Sequence, residues 1–330
     1  MLTKFFILND NQRPFFSPKL RLCIALLCTF AAITLFLTLN VKASWEFTLM
    51  FRAKKMLSFI IVAICISTST LLFQTLSNNR IITPAIMGFD SLYILIQSVL
   101  VFFLGALQFN QFNPYLKWLI EVSLLVFAAS MLFQWLFVKK QFNVYLLVLI
   151  GVVCGVFFQS ISALLMRMMN PTDFSVLQDT LFASFNTVDQ HLMIISGTVV
   201  CAIFAYIWRN HNNYDVMALS KPLAINLGVN YQKLSRNTII IISALVGLST
   251  ALVGPLAFLG LLVVNLAYIT CGSHLHRYLL PMSVLIAITT LIGGDVLLQH
   301  VLAYNTQLSI IIQFVGGLFF IVLVLRKKVL

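Results

Sequence analysis

Long apolar runs broken by short polar stretches make up most of this chain. Runs that are apolar on every face recur at 20–40, 56–76, 89–105, 116–138, 144–166, 192–208, 237–253, 255–268, 279–300 and 308–325. A helix rises about 1.5 Å per residue, so crossing a hydrocarbon layer of about 30 Å takes roughly 20 residues. The strict apolar–polar alternation of barrel strands is absent. The pattern therefore predicts an all-α polytopic membrane protein of about ten transmembrane helices. No low-complexity linker interrupts it, so residues 1–330 are expected to form one membrane domain.

The shortest run, 255–268, would reach only about 20 Å as a helix. It follows the Gly254-Pro255 break and is expected to be tilted, extended by its neighbours or re-entrant. Beyond it lie Gly272, Ser273, His274 and His276 in a small polar stretch. The whole of 254–277 reads as a Gly-Pro break, a short helix and a loop, suited to carrying a signal between the membrane and something at its surface. Two polar segments also carry helical signals. In 170–191, Pro171-Thr172-Asp173 is a helix start, and a short surface helix is expected there. Segment 209–236 is expected to hold one or two short helices stopped by Gly228.

Composition narrows the class. The chain is 61% hydrophobic and 9% charged, too apolar to cover a soluble core with polar groups. The net charge of +12 reflects membrane topology rather than nucleic-acid binding, because Lys and Arg concentrate in cytoplasmic loops. With the N-terminus placed inside, 15 of the 21 Lys and Arg fall on the cytoplasmic side and 6 outside. The terminal Arg326-Lys327-Lys328 lies inside only if the number of spans is even, which counts 255–268 as a crossing. Both termini are then cytoplasmic. The exception is the outer segment between the first two spans, where Arg52, Lys54 and Lys55 are nearly contiguous. They either snorkel to lipid headgroups or form a docking surface for an acidic partner. The first apolar run is too long for a cleavable signal peptide. The six cysteines lack the spacing of a metal or disulfide framework.

Ionisable groups inside spans are costly and invite a functional reading. Asp90 stands where it could cap a helix N-terminus. Glu121 lies four residues after Lys117, the spacing of an intrahelical pair. Asp295 and Gln299 share a helix face. They either line a polar pathway or bond across to a neighbouring helix. Nucleotide-binding, metalloprotease and nucleophile-elbow motifs are absent, so neither a catalytic residue nor a metal ligand is expected. His274 and His276, beside Arg277, are expected on a solvated surface.

Several motifs in order resemble one family. GPLAFLGLLVVNLAY, HRYLLPMSVLIAITTLIGGDVLLQ and QFVGGLFFIVLVLRKK are similar to the C-terminal half of FecCD-type permeases, the membrane subunits of bacterial ABC importers for iron–siderophores, haem and cobalamin. Upstream, FRAKK and SNNRIITPAIMGFD resemble the family's RLPR…NPLAEPxxLG, and the match runs from about residue 45 to the end. ITPAIMGFDSLY looks most like the branch importing catecholate or mixed siderophores. Departures are Asn265 for the usual Pro, Leu266 for the usual His, Gln299 where some relatives carry Arg, and the lack of Pro in RAKK.

The resemblance implies a type II ABC importer permease in the bacterial cytoplasmic membrane. Its partners would be a second permease chain (a paralogue, otherwise a second copy), two ATP-binding subunits and a periplasmic or lipid-anchored substrate-binding protein. ATP and Mg would sit on the partner subunit, with no cofactor on this chain. Ala267, Tyr268, Ile269, Thr270, Cys271, Gly272, Ser273 and His274 match the element that couples to the ATPase. Arg52, Lys54 and Lys55 match the basic docking motif. A cobalamin or haem permease, a stand-alone secondary transporter and a non-transporting membrane protein remain the alternatives.

Overall fold

The computed structural model describes residues 17–39, 44–134, 144–186, 188–301 and 306–325. Among them the chain forms thirteen helices and no strand: α1 (Pro18–Thr38), α2 (Trp45–Ser77), α3 (Phe89–Gln111), α4 (Pro114–Gln134), α5 (Val144–Met168), α6 (Pro171–Leu181), α7 (Gln190–Arg209), α8 (His211–Met217), α9 (Lys221–Asn226), α10 (Tyr231–Val253), α11 (Leu259–Cys271), α12 (His276–His300) and α13 (Leu308–Leu325). Eight are long and apolar enough to cross a membrane, and Leu259–Cys271 and Leu308–Val322 are shorter apolar helices. These ten follow the order of the ten predicted runs. Lys42, Lys139, Lys140 and Arg326-Lys327-Lys328 lie outside the described residues.

Helices α2, α10 and α12 occupy the centre. Most of α2 is buried, whereas α1, α4 and α5 expose most of their length. Leu27, Phe30, Phe127 and Phe157 are among the exposed large side chains of that outer ring. Such a surface is stable against lipid, where the backbone must pair internally but apolar side chains need no cover. The centre is rich in small hydroxyls that stay compatible with helix. On α2, Ser58 donates to the Lys55 carbonyl at 2.7 Å, Ser67 to Ala63 at 2.6 Å and Thr75 to Leu71 at 2.9 Å. Bonding back to the preceding turn satisfies these groups within hydrocarbon.

Three boundaries differ from hydropathy. Helix α2 starts at Trp45, not 56, and runs 33 residues, about 50 Å. Nothing between Trp45 and Lys55 breaks a helix, so it extends through a stretch of mixed apolar and charged residues before the continuous apolar run. Helix α3 continues to Gln111, but Gly105 interrupts it at φ 72 and ψ 160, a conformation that glycine adopts without steric cost. The Asp173 carboxylate on α6 accepts the Ala106 amide at 2.7 Å, tying the segment beyond the break to the short helix. A small core of Val101, Phe109 and Leu177 fills the space beneath. The run 255–268 is not one helix. Residues 254–258 leave α10 non-helically, and α11 begins only at Leu259.

The predicted short helices appear as α6, α8 and α9. Helix α9 ends in a Schellman arrangement, with Gly228 at φ +85 and the Val229 amide bonded to the Ala224 carbonyl at 3.0 Å.

Candidate functional site

Two clusters of polar groups lie towards opposite ends of α12. At one end α11 runs into α12 through a four-residue connection, 272–275. Of the expected coupling stretch, Ala267–Cys271 are the last residues of α11 and only Gly272, Ser273 and His274 lie in the loop. Thr270, Gly272 and His274 are exposed, while Ala267 and Cys271 are buried. Gly272 ends α11 at φ +67, and a Cβ there would lie 2.7 Å from Arg21 Nη1. The left-handed turn favours glycine, whereas the Arg21 guanidinium, at the end of a flexible side chain, can shift away from an added Cβ. Arg21 also donates to the Thr270 carbonyl at 3.1 Å, where a cation complements the negative end of α11.

His276 is the hub of this end. It was expected on a solvated surface beside His274; His274 is exposed, but His276 is 1% exposed and opens α12. The Asp215 carboxylate of α8 accepts both the His276 amide and Nδ1 at 2.7 Å. Nε2 lies 2.9 Å from the Thr75 hydroxyl near the end of α2. Asp215 thus serves as the N-terminal cap of α12 from a separate helix, because the residue at the cap position, Leu275, offers no side-chain acceptor. Burial alone would push the Asp215 carboxyl up, but the hydrogen bonds from His276 outweigh it and hold the group below the usual carboxylate range.

One turn away, Asn265 and Gln74 both donate to the Arg80 carbonyl, at 3.1 and 2.7 Å. The Arg80 guanidinium lies 4.6 Å from the Tyr268 ring centre. Asn265, where the family pattern has Pro, also donates to the Leu261 carbonyl within α11, so the helix runs through this position. The loop is therefore held by α1, α2 and α8, and movement there engages three elements.

At the opposite end, Lys55 Nζ lies 2.8 Å from Asp295 Oδ1. This bond joins α2 to α12, so Asp295 is an interhelical group. Asp295 Oδ2 has no hydrogen-bond partner among the described residues. Gln299, one turn on, is partly exposed. Arg52 Nη1 donates to the carbonyls of Phe36, Leu37 and Leu39 at 2.7, 3.1 and 2.8 Å, satisfying the C-terminal end of α1. Arg52 and Lys55 are 7% and 6% exposed. Their i,i+3 spacing points both into the bundle, away from the surface on which docking was expected. Lys54, on the other face, is exposed.

Two other expectations change. Lys117 and Glu121 form no ion pair within 4 Å; the Lys117 ammonium sits 3.5 Å from the Phe109 ring centre, and the Glu121 carboxyl is buried on α4. Asp90 lies in the first turn of α3 without a capping bond, since Gly88 occupies the cap position. Asp215, Thr75 and Arg21 carry no pattern signal in the sequence, and only the fold brings them to the loop.

The chain is similar to known proteins. Across 310 residues the chain is 38% identical to the petrobactin import system permease protein YclO of Bacillus subtilis (strain 168), covering 94% of this chain and 98% of that protein. Over 279 residues it is 36% identical to the petrobactin import system permease protein FatC of Bacillus anthracis, covering 84% and 79%. Both organisms also have a second petrobactin import permease, YclN and FatD, that this chain resembles. A solved metal-chelate type ABC transporter in an inward-facing conformation has the same fold, with a TM-score of 0.78 over 94% of this chain and 100% of that one, at 21% identity. With ten apolar helices and residues 20–326 matching the family profile, this multi-pass membrane protein belongs to the FecCD transport family.

Proposed function

We propose that this chain is a permease subunit of an ATP-driven importer that carries a ferric siderophore across the bacterial cytoplasmic membrane, with petrobactin as the cargo. The observation that carries the proposal is the 38% identity to a petrobactin import permease over nearly the whole of both chains. The presence of a second petrobactin permease in each relative's organism supports pairing with a paralogous permease chain. A separate ATPase pair supplies the energy, since the sequence has no nucleotide-binding motif. Binding and hydrolysis of ATP there would move residues 267–274. The clamp of α1, α2 and α8 on that loop would pass the motion into the central helices, which rock between outward and inward states. A substrate-binding protein delivers cargo on the far side, meeting the start of α2 through Lys54. Both chain termini face the cytoplasm.

The test is uptake of radiolabelled ferric petrobactin in cells deleted for this chain. Loss of uptake, restored by the wild-type chain, is expected. Normal uptake in the deletion strain overturns the cargo. Isolation of the chain in detergent without a nucleotide-binding partner, while transport persists in vesicles lacking ATP, overturns the ATP-driven reading in favour of a secondary transporter.

A further inference from the structure

Two broken elements meet inside the bundle. Residues 78–88 lead from α2 into α3 through Pro84 and Gly88, the latter at φ +95. Residues 254–258 lead from α10 into α11 through Pro255 and Phe258, the latter at φ +64. Between these segments, α2 and the end of α10 lies a cavity of about 30 Å3, room for a water-sized guest. Its polar wall consists of Ser69, Thr70, Thr83, Asp90, Ser249 and Thr250, with no Lys, Arg or His.

The hydrogen bonds of that wall set its polarity. Ser69 donates to the Ile66 carbonyl at 3.1 Å, Ser249 to Val246 at 2.9 Å and Thr250 to Val246 at 2.8 Å. Their O–H bonds are thus taken up by the helices, leaving oxygen lone pairs for the cavity. Asp90 lines the same cavity, and its Oδ2 is buried with no hydrogen-bond partner among the described residues. Thr83 Oγ1 accepts the Ile86 amide at 3.4 Å, and a carboxylate beside the lone pairs of Ser69, Ser249 and Thr250 in a low-dielectric interior is costly unless a positive charge joins it. One carboxylate with several neutral oxygens suits a monovalent ion better than Ca²⁺ or Mg²⁺, which take more charge or bound water. Non-helical backbone at membrane depth is tolerated where it lines such a cavity.

We propose that this cavity is a binding site for a small monovalent cation, Na⁺ in particular, held by the Asp90 carboxylate and the hydroxyl oxygens of Ser69, Ser249 and Thr250. The ion joins the two breaks to α2 and α10, so occupancy stabilises the packing of α3 and α11 against the centre. This site does not depend on which cargo the chain carries.

The experiment uses the full chain in detergent with any subunits that copurify, and compares unfolding midpoints in NaCl, KCl and choline chloride at equal ionic strength. Na⁺ is expected to raise the midpoint by about 3 °C or more over choline, as a ligand present well above its dissociation constant does. Asp90→Asn should abolish the rise and Thr250→Val should reduce it, while Asp179→Asn on the exposed face of α6 keeps it. Radioactive sodium should bind the wild type saturably and Asp90→Asn at background. Equal midpoints in all three salts overturn the site. So does a Na⁺ effect that survives Asp90→Asn, or a midpoint that follows pH alone, the mark of simple protonation of Asp90. If Asp90→Asn does not fold, sodium binding by Thr250→Val and Ser249→Ala decides: unchanged binding overturns the site.

Discussion

Lys55 on α2 and Asp295 on α12 are 240 residues apart in the chain and 2.8 Å apart in the bundle. Both are almost fully buried. Each makes the other tolerable in an apolar interior, because an isolated ion there is far costlier than a hydrogen-bonded pair. The Arg52 guanidinium, one turn earlier on α2, holds the end of α1. Together these two cations of one helix join three helices at this end of the molecule.

Breaking the pair from either side should cost more than removing it. Lys55→Met or Asp295→Leu alone leaves an uncompensated buried charge and is expected to destabilise by about 3–5 kcal/mol. The double substitution should cost clearly less than the sum. Unfolding midpoints of the three variants in one detergent measure this, and additive losses would show that the two side chains do not depend on each other.

The burial of Arg52 and Lys55 also separates stability from docking. Arg52→Glu would set a carboxylate against three backbone carbonyls and should lower the midpoint before it affects any partner. Lys54→Glu should leave the midpoint unchanged and weaken a binding protein's affinity up to about fivefold at low salt, the range of an exposed charge pair. Unchanged affinity in Lys54→Glu removes the proposed docking role.

Asp215 gives the coupling end a predictable response to acid. Its folded pKa is depressed, so the stability it contributes is present above the usual carboxylate value of about 3.9 and is lost as pH falls through the lower folded value. Asp215→Asn should lower the unfolding midpoint at neutral pH, by about 1 kcal/mol for a lost cap. The gap from wild type should close below about pH 4. A gap of constant size across pH would rule out the charge as its source.

Gly272 should tolerate a β-branched side chain poorly, because its backbone is left-handed. Gly272→Val places a β-branched residue at φ +67 and its Cβ against Arg21. The left-handed backbone alone costs roughly 1–2 kcal/mol. The expected outcome is loss of siderophore uptake with ATP hydrolysis retained in the assembled complex. Full uptake in this variant would remove the loop from the proposed coupling route.

Hydropathy located the ten apolar helices in order, because the length needed to cross lipid is written directly into residue count. It also located the breaks at Gly254-Pro255 and Gly272, since glycine and proline act on the backbone where they stand. Hydropathy missed the extra turns of α2, where apolar and charged residues are mixed and nothing stops the helix. It also missed the continuation of α3 past Gly105, whose far side is held by Asp173 from another helix.

What the residues alone determined was the class of molecule and the family, both of which rest on local runs and ordered motifs. Which way a side chain faces was decided only by the fold. RAKK reads as a basic patch, yet α2 turns Arg52 and Lys55 inward and leaves Lys54 out. His274 and His276 look alike in sequence, but α8 brings Asp215 to His276 and leaves His274 in the loop. Helical periodicity gives the angle between side chains, while their surroundings come from partners tens to hundreds of residues away, and those meet only when the bundle packs.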